Sequence, residues 1–316
     1  MATVPTRYRL GILAAALLFS TGGAAIKLCG LNGWQVACFR SGIAALTLAL
    51  LFPSARRGWS WRTLIVGAAQ AATLILFVLG NKLTTAASTI FLQSTAPLYI
   101  LVLAPRLLRE RARRSDLLLM AAIATGMALF FVDLEPAAAS APEPFLGNVL
   151  SATAGITWAL TLLGLRWLAR SKGAAATTDG DQGIAAVVLG NMLAFLVTLP
   201  AALPVTGSSA SDWINIGYLG VVQIALAYLL LTYGFRRVPA FEASLLILVE
   251  PTLNPVWAWW VHNEVPGSWA LVGGAIILMS TTAKSWRERR QSDDRLESLG
   301  RAGHDAGGVT SEQLDL

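Results

Sequence analysis

Residues 96–111 read APLYILVLAPRLLRER, and residues 250–264 read EPTLNPVWAWWVHNE. Each stretch opens on a residue followed by proline, runs through an apolar segment and reaches a glutamate at its end, Glu110 before Arg111 in the first and Glu264 in the second. Pro97 and Pro251, and likewise Glu110 and Glu264, lie 154 positions apart, with no gap between the two matches. Apolar segments nearer the start of each half also align, Phe19 opposite Trp158 and Lys27 opposite Arg166. A shared register of this kind marks an internal duplication, and working outward from it organises the whole chain.

The 316 residues are 55% hydrophobic and only 13% charged, about half the charged fraction of a soluble domain. Apolar runs of about 17–22 residues are long enough to cross roughly 30 Å of hydrocarbon as helices. The predicted spans are 10–30, 34–52, 61–80, 84–105, 116–134, 145–168, 184–205, 213–235, 241–261 and 266–285. Five spans end on the side opposite to where they began, so a repeated set of five has inverted topology, an arrangement many secondary transporters share. The fold class predicted is therefore an all-α integral membrane protein. It has ten transmembrane helices, as two inverted five-helix repeats around a central cavity. The divisions are a cytoplasmic N-terminus at 1–9, repeats at 10–134 and 145–285, an external linker at 135–144 and a disordered cytoplasmic tail at 286–316.

Net charge is +6, and its distribution argues for a bilayer and against a nucleic-acid partner. With both termini inside, the inner segments hold 21 of the 24 basic residues, among them Arg56, Arg57 and Arg62, the run from Arg106 to Arg114, and Arg236 and Arg237. The outer loops hold Lys82 alone, while Lys27 and Arg40 fall within spans. Shifting the count by one span would reverse the positive-inside rule. Basic residues near the start and small residues around Ala14–Ala16 superficially resemble a secretory signal. Cleavage there would destroy the five-plus-five symmetry, so the segment is read as the first span. Cys29 and Cys38 flank a short outer loop and are read as buried free thiols.

Polar groups at bilayer depth are the candidate functional residues. Glu250 lies midway along span nine, where an acid costs about 2.5–3.5 kcal/mol and must face protein or a water-filled cavity. It precedes Pro251, with Pro255 one turn on, and Pro97 is the counterpart in span four; each proline removes a backbone donor and frees a carbonyl. Coordinating a cation, carrying a coupling proton and recognising a substrate amine are all open to Glu250, as is a structural hydrogen bond between repeats. Arg40 sits about 9 Å inside its span. Its guanidinium suits a substrate carboxylate, a pairing with Glu250, or snorkelling outward. Gln93, Tyr99, Gln223, Tyr228 and Asn254 are uncharged polar residues deep in spans that need internal partners. Trp158 is a mid-span indole able to stack on a flat solute or pack in the core. Lys27, three residues from its span end, is expected to snorkel, and Trp257, Trp259 and Trp260 to form an interfacial belt.

In their order and spacing these motifs resemble the drug/metabolite transporter superfamily, in its EamA-like branch of two five-helix repeats. The resemblance rests on Phe19-Ser20-Thr21-Gly22 in span one, Phe39-Arg40 in span two, and the proline of span four with Arg109-Glu110-Arg111 at its end. Its second-half counterpart is Leu248-Val249-Glu250-Pro251 with Glu264; one departure is that no basic residue follows Glu264. The resemblance implies a multi-pass protein of the cytoplasmic (inner) membrane that moves small metabolites, often by exporting amino acids or related compounds. No HExxH, GxSxG, Walker or GxGxxG pattern is present, so neither enzyme activity nor a cofactor or metal is expected. Two other readings stay open: an intramembrane enzyme acting on a lipid-linked group, which would want a second acid or histidine at similar depth, and a non-transporting scaffold.

Overall fold

A computed structural model describes residues 6–56, 59–96, 98–100, 102–103, 114–132, 139–170, 180–235, 238, 246–247, 249–280, 282–283 and 286. Among these residues the chain is helical, without strands. The helices are α1 (Thr6–Ser20), α2 (Gly22–Leu28), α3 (Gly33–Leu51), α4 (Trp61–Leu83), α5 (Ala86–Gln93), α6 (Arg114–Leu129), α7 (Pro144–Arg170), α8 (Gly180–Ala202) and α9 (Ala210–Tyr218). Then come a π-helical segment Leu219–Leu226, α10 (Ala227–Phe235), α11 (Val249–His262) and α12 (Ser268–Ser280).

Among the described residues, six stretches are long and apolar enough to cross a membrane: Thr6–Leu28, Gly33–Leu51, Trp61–Leu83, Pro144–Leu165, Gln182–Ala202 and Ala210–Gly234. They match predicted spans one, two, three, six, seven and eight. Shorter apolar helices, Leu118–Leu129 and Ser268–Ser280, fall within spans five and ten. Span four contributes α5 and span nine contributes α11, a helix of 14 residues.

Polar caps set where several helices begin. Asn32 and Gln35 form a reciprocal capping box at α3, as do Ser60 and Thr63 at α4 and Ser209 and Asp212 at α9. Each box satisfies orphan backbone donors that have no intrahelical acceptor.

The distribution of polarity is inverted relative to a soluble protein. Leu46, Leu50, Ile65, Leu118, Val197, Ile214, Trp260 and Met279 point outward, whereas Arg40, Gln70, Asn81, Asn191, Gln223 and Asn254 are buried. An apolar belt of this extent requires a hydrocarbon environment. The chain is thus a multi-pass membrane protein.

Helices of the two repeats pack chiefly on one another. α4 lies against α7 and α8, α3 against α8 and the π segment, α1 against α10 and α11, and α5 against α7 and α11. Small residues permit the closest approaches. A Cβ on Gly190 would sit 2.8 Å from the Gly67 carbonyl oxygen, so α4 and α8 meet backbone to backbone, as membrane helices do when small residues line their contact.

Span one is present over Thr6–Leu28 and turns at Thr21, whose hydroxyl donates to Leu18 O (2.8 Å) and shares a hydrogen bond with the Tyr218 hydroxyl (2.7 Å), between α1 and α2. Two expectations need correction. Pro251 and Pro255 do not interrupt their helix. The described residues of α11 are helical on both sides of each proline, from Val249 through Pro251 and Pro255 to His262. Pro97 and Glu110 lie outside the described residues. Finally, Lys27 does not snorkel, because partners within the protein hold its ammonium (see below).

Candidate functional site

A cavity lies where α1, α3, α4, α5, α7, the π segment, α10 and α11 converge. Phe19, Arg40, Thr73, Leu74, Phe77, Gln93, Trp158, Gln223, Ile224, Tyr228 and Glu250 line it. Both repeats supply the wall, so any relative movement of the repeats reshapes the cavity.

Arg40, from α3, is 1% exposed. Its Nη2 donates to the Leu74 carbonyl at 3.1 Å, and its Nε has no partner among the described residues. A buried guanidinium with an unused donor is an incomplete anion site, since fork geometry suits a carboxylate bidentately. Glu250 enters from the second residue of α11 and is half-buried. The two opposite charges share the cavity without forming an ion pair. Snorkelling by Arg40 and direct pairing with Glu250, both open from the sequence, are therefore not what the structure holds.

Gln223 reaches the cavity from the π-helical segment, a departure from α geometry often found at functional sites. Its Oε1 is buried and unpartnered, so it offers an acceptor to a donor such as an ammonium. Gln93 closes α5 and is buried in the cavity wall.

The aromatic part is organised about Tyr228 on α10. Phe19 packs edge-on against it with ring centroids 5.1 Å apart, and Trp158 does the same at 6.3 Å. The residues that the repeat register aligns thus flank one tyrosine. Edge-to-face packing leaves ring faces available to a bound apolar group.

Six of the eight sequence-derived candidates for the pocket therefore come together: Glu250, Arg40, Trp158, Gln93, Gln223 and Tyr228. Two do not. The Tyr99 hydroxyl turns to the Met127 sulfur at 3.7 Å, towards α6. Asn254, fully buried, faces Gly23 on α2, with neither amide atom satisfied. Thr73, Leu74 and Phe77 escaped the sequence reading. Thr73 sits one turn from Phe77 on α4, and its hydroxyl is 2.9 Å from the Thr157 hydroxyl; a threonine deep in a span was the available signal. Cys29 and Cys38 are free and buried. Among the described residues no group of histidine, cysteine and acidic side chains could hold a metal ion.

A polytopic helical protein with a mixed-charge cavity between two repeats has the form of a solute carrier. Residues 7–132 and 145–283 each match the EamA-like transporter family, and the chain belongs to that family. It is similar to an uncharacterized transporter of Archaeoglobus fulgidus, 26% identical over 227 residues, which span 68% of this chain and 77% of the relative. It also resembles the uncharacterized transporter YdfC of Bacillus subtilis, 30% identical over 92 residues, which span 29% of this chain and 30% of that one. A solved crystal structure aligns over 90% of this chain and 99% of its own, with a TM-score of 0.62 at 19% identity, a likeness of fold alone.

Proposed function

We propose that the protein is a secondary transporter of small polar metabolites bearing both an anionic and a cationic group, with amino acids and related compounds as the leading class and export as the direction. The observation that carries this reading is Arg40 and Glu250 on the wall of one cavity without mutual neutralisation. A zwitterion supplies the missing counter-charge to each: carboxylate to Arg40, ammonium to Glu250 and the free Gln223 acceptor. Glu250 is also the group in this wall able to carry a coupling proton.

In the topology proposed, ten spans place both termini in the cytoplasm of a cell bounded by its inner membrane. Repeats 10–134 and 145–285 rock about the cavity, with 135–144 outside and 286–316 a cytoplasmic tail. Cavity walls drawn from both repeats support alternating access by that movement.

Ligand-dependent thermal stabilisation of the purified protein tests the assignment. A solute that binds the native state stabilises it by about 2.7 kcal/mol at a hundred times its dissociation constant. Within a panel of amino acids, their amides and their decarboxylated amines, the zwitterions should raise the melting temperature of the wild type. Glu250→Gln should abolish the shift while its ligand-free melting temperature remains near that of the wild type. Stabilisation by none of the zwitterions, or an equal shift in the variant, would contradict the proposed site.

A further inference from the structure

Above the cavity, α2 and α11 run side by side, and a series of contacts closes the seam between them. Where α1 ends, one residue past the cavity-lining Phe19, the Trp257 indole Nε1 donates to Ser20 Oγ at 3.0 Å. Asn254 presses against α2 where a Cβ on Gly23 would come within 2.5 Å of its Oδ1, so the approach depends on glycine there. Next, His262 Nε2 lies 2.9 Å from the Ala24 carbonyl oxygen. At the end of the seam, Lys27 Nζ stands 3.6 Å from Glu264 Oε1, with the two side chains 5% and 3% exposed.

That last pair joins more than two helices. Lys27 also donates to the Thr84 carbonyl at 2.9 Å and to the Ser140 carbonyl, in the stretch between the repeats. Glu264 Oε1 accepts from the Ala86 backbone amide, at the start of α5, at 3.0 Å. One buried ion pair thus binds the ends of α2, α5 and α11 and the inter-repeat connection. The second carboxylate oxygen, Oε2, is buried without a partner, so the acid is held by this one set of bonds. A buried pair is a poor source of net stability but costly to break from one side, which suits a contact that must be either made or fully parted.

We infer that the α2–α11 seam is a closed gate between the cavity and the external face, and that the Lys27–Glu264 pair is its latch. The external placement rests on the topology proposed above; the latch itself rests on the contacts. Opening requires α2 to part from α11, which separates Lys27 from Glu264 and exposes both to water.

The test reads access to the cavity and needs no solute. Full-length protein carrying Cys29→Ala, Cys38→Ala and a cavity reporter, Phe77→Cys, is reconstituted in right-side-out vesicles and labelled from outside with a membrane-impermeant thiosulfonate. With the latch intact, labelling should be slow. Glu264→Gln and Lys27→Met should each accelerate it at least tenfold. The double variant should be no faster than the faster single one, because both remove one interaction. Gly23→Val, which wedges the seam without touching the pair, should also accelerate labelling. Should Glu264→Gln fail to yield monodisperse protein, Glu264→Asp keeps the charge but shortens its reach and should give an intermediate rate. Unchanged labelling in these variants, or multiplicative effects in the double one, overturns the latch. Latch-dependent labelling with no counterflow of any solute would sink the transport reading and leave the gate standing. Robust counterflow with latch-independent labelling would sink the gate alone.

Discussion

Arg40→Lys keeps the positive charge and removes the planar fork. The wild-type guanidinium spends Nη2 on Leu74 O and leaves Nε free toward the cavity. A lysine ammonium can still reach the carbonyl but cannot simultaneously present two aligned donors to a carboxylate. One hydrogen bond to an ionised partner contributes about 1.5–3 kcal/mol net. At 1.4 kcal/mol per decade this is about a 10- to 150-fold rise in half-saturation concentration for a carboxylate-bearing substrate. The assay is counterflow of a labelled amino acid, with unlabelled zwitterion and the matching decarboxylated amine as competitors. The zwitterion should lose potency by that factor in the variant, and the amine, which never used the fork, should compete as it does in the wild type. Equal losses for both competitors would show that Arg40 shapes the cavity without reading a carboxylate, and no loss for either would refute the reasoning outright.

Three further outcomes are expected. Gly190→Val should destabilise the fold by about 1–3 kcal/mol, because its Cβ meets the Gly67 carbonyl and the Gln70 side chain; Gly217→Ala, with nothing within 4 Å, should be neutral or stabilising in the same melting assay. Burial pushes the Glu264 carboxyl above the usual carboxylate range, although Lys27, the Ala86 amide and His262 draw it back. As pH falls, Glu264 should therefore protonate before an ordinary glutamate and release Lys27, so that the wild-type labelling rate, divided by that of Glu264→Gln at the same pH to cancel the reporter thiol's own ionisation, rises towards one on acidification; a ratio that stays constant would contradict this. The folded protein should present no reactive thiols to an aromatic disulfide reagent and two after denaturation, with or without reductant, since Cys29 and Cys38 are free and buried; a need for reductant would reveal a bridge between them.

The sequence was most informative about depth and least about rotation. Depth follows from counting residues inward from a span end, which placed Arg40, Gln93, Gln223 and Glu250 at the level where they meet. Rotation has no such signal, because lipid and protein interior are equally apolar and hydrophobic periodicity fades around a membrane helix. Tyr99 and Asn254 lie at suitable depth yet face α6 and α2, and Thr73 and Phe77 face the cavity without distinguishing chemistry in the chain. The departures from regular helix share another cause. The turn at Thr21 in span one is held locally by the Leu18 carbonyl and also by the Tyr218 hydroxyl, nearly two hundred residues away, a partner that no local rule announces. Lys27 looked free to snorkel because Glu264 belongs to the other repeat; only its register with Glu110 singled that acid out. Trp257, expected in the interfacial belt with Trp259 and Trp260, turns inward to Ser20, whereas the other two remain exposed.

The central claim is that the cavity joining the two repeats carries a zwitterionic solute across the membrane between Arg40 and Glu250. Counterflow in proteoliposomes, with a labelled amino-acid panel and wild type set beside Glu250→Gln, tests it most directly. Wild-type vesicles should show saturable exchange of at least one amino acid, with exchange lost in a Glu250→Gln protein that is folded and equally incorporated. Undiminished exchange by that variant, or no movement of any amino acid through wild-type vesicles, would contradict it.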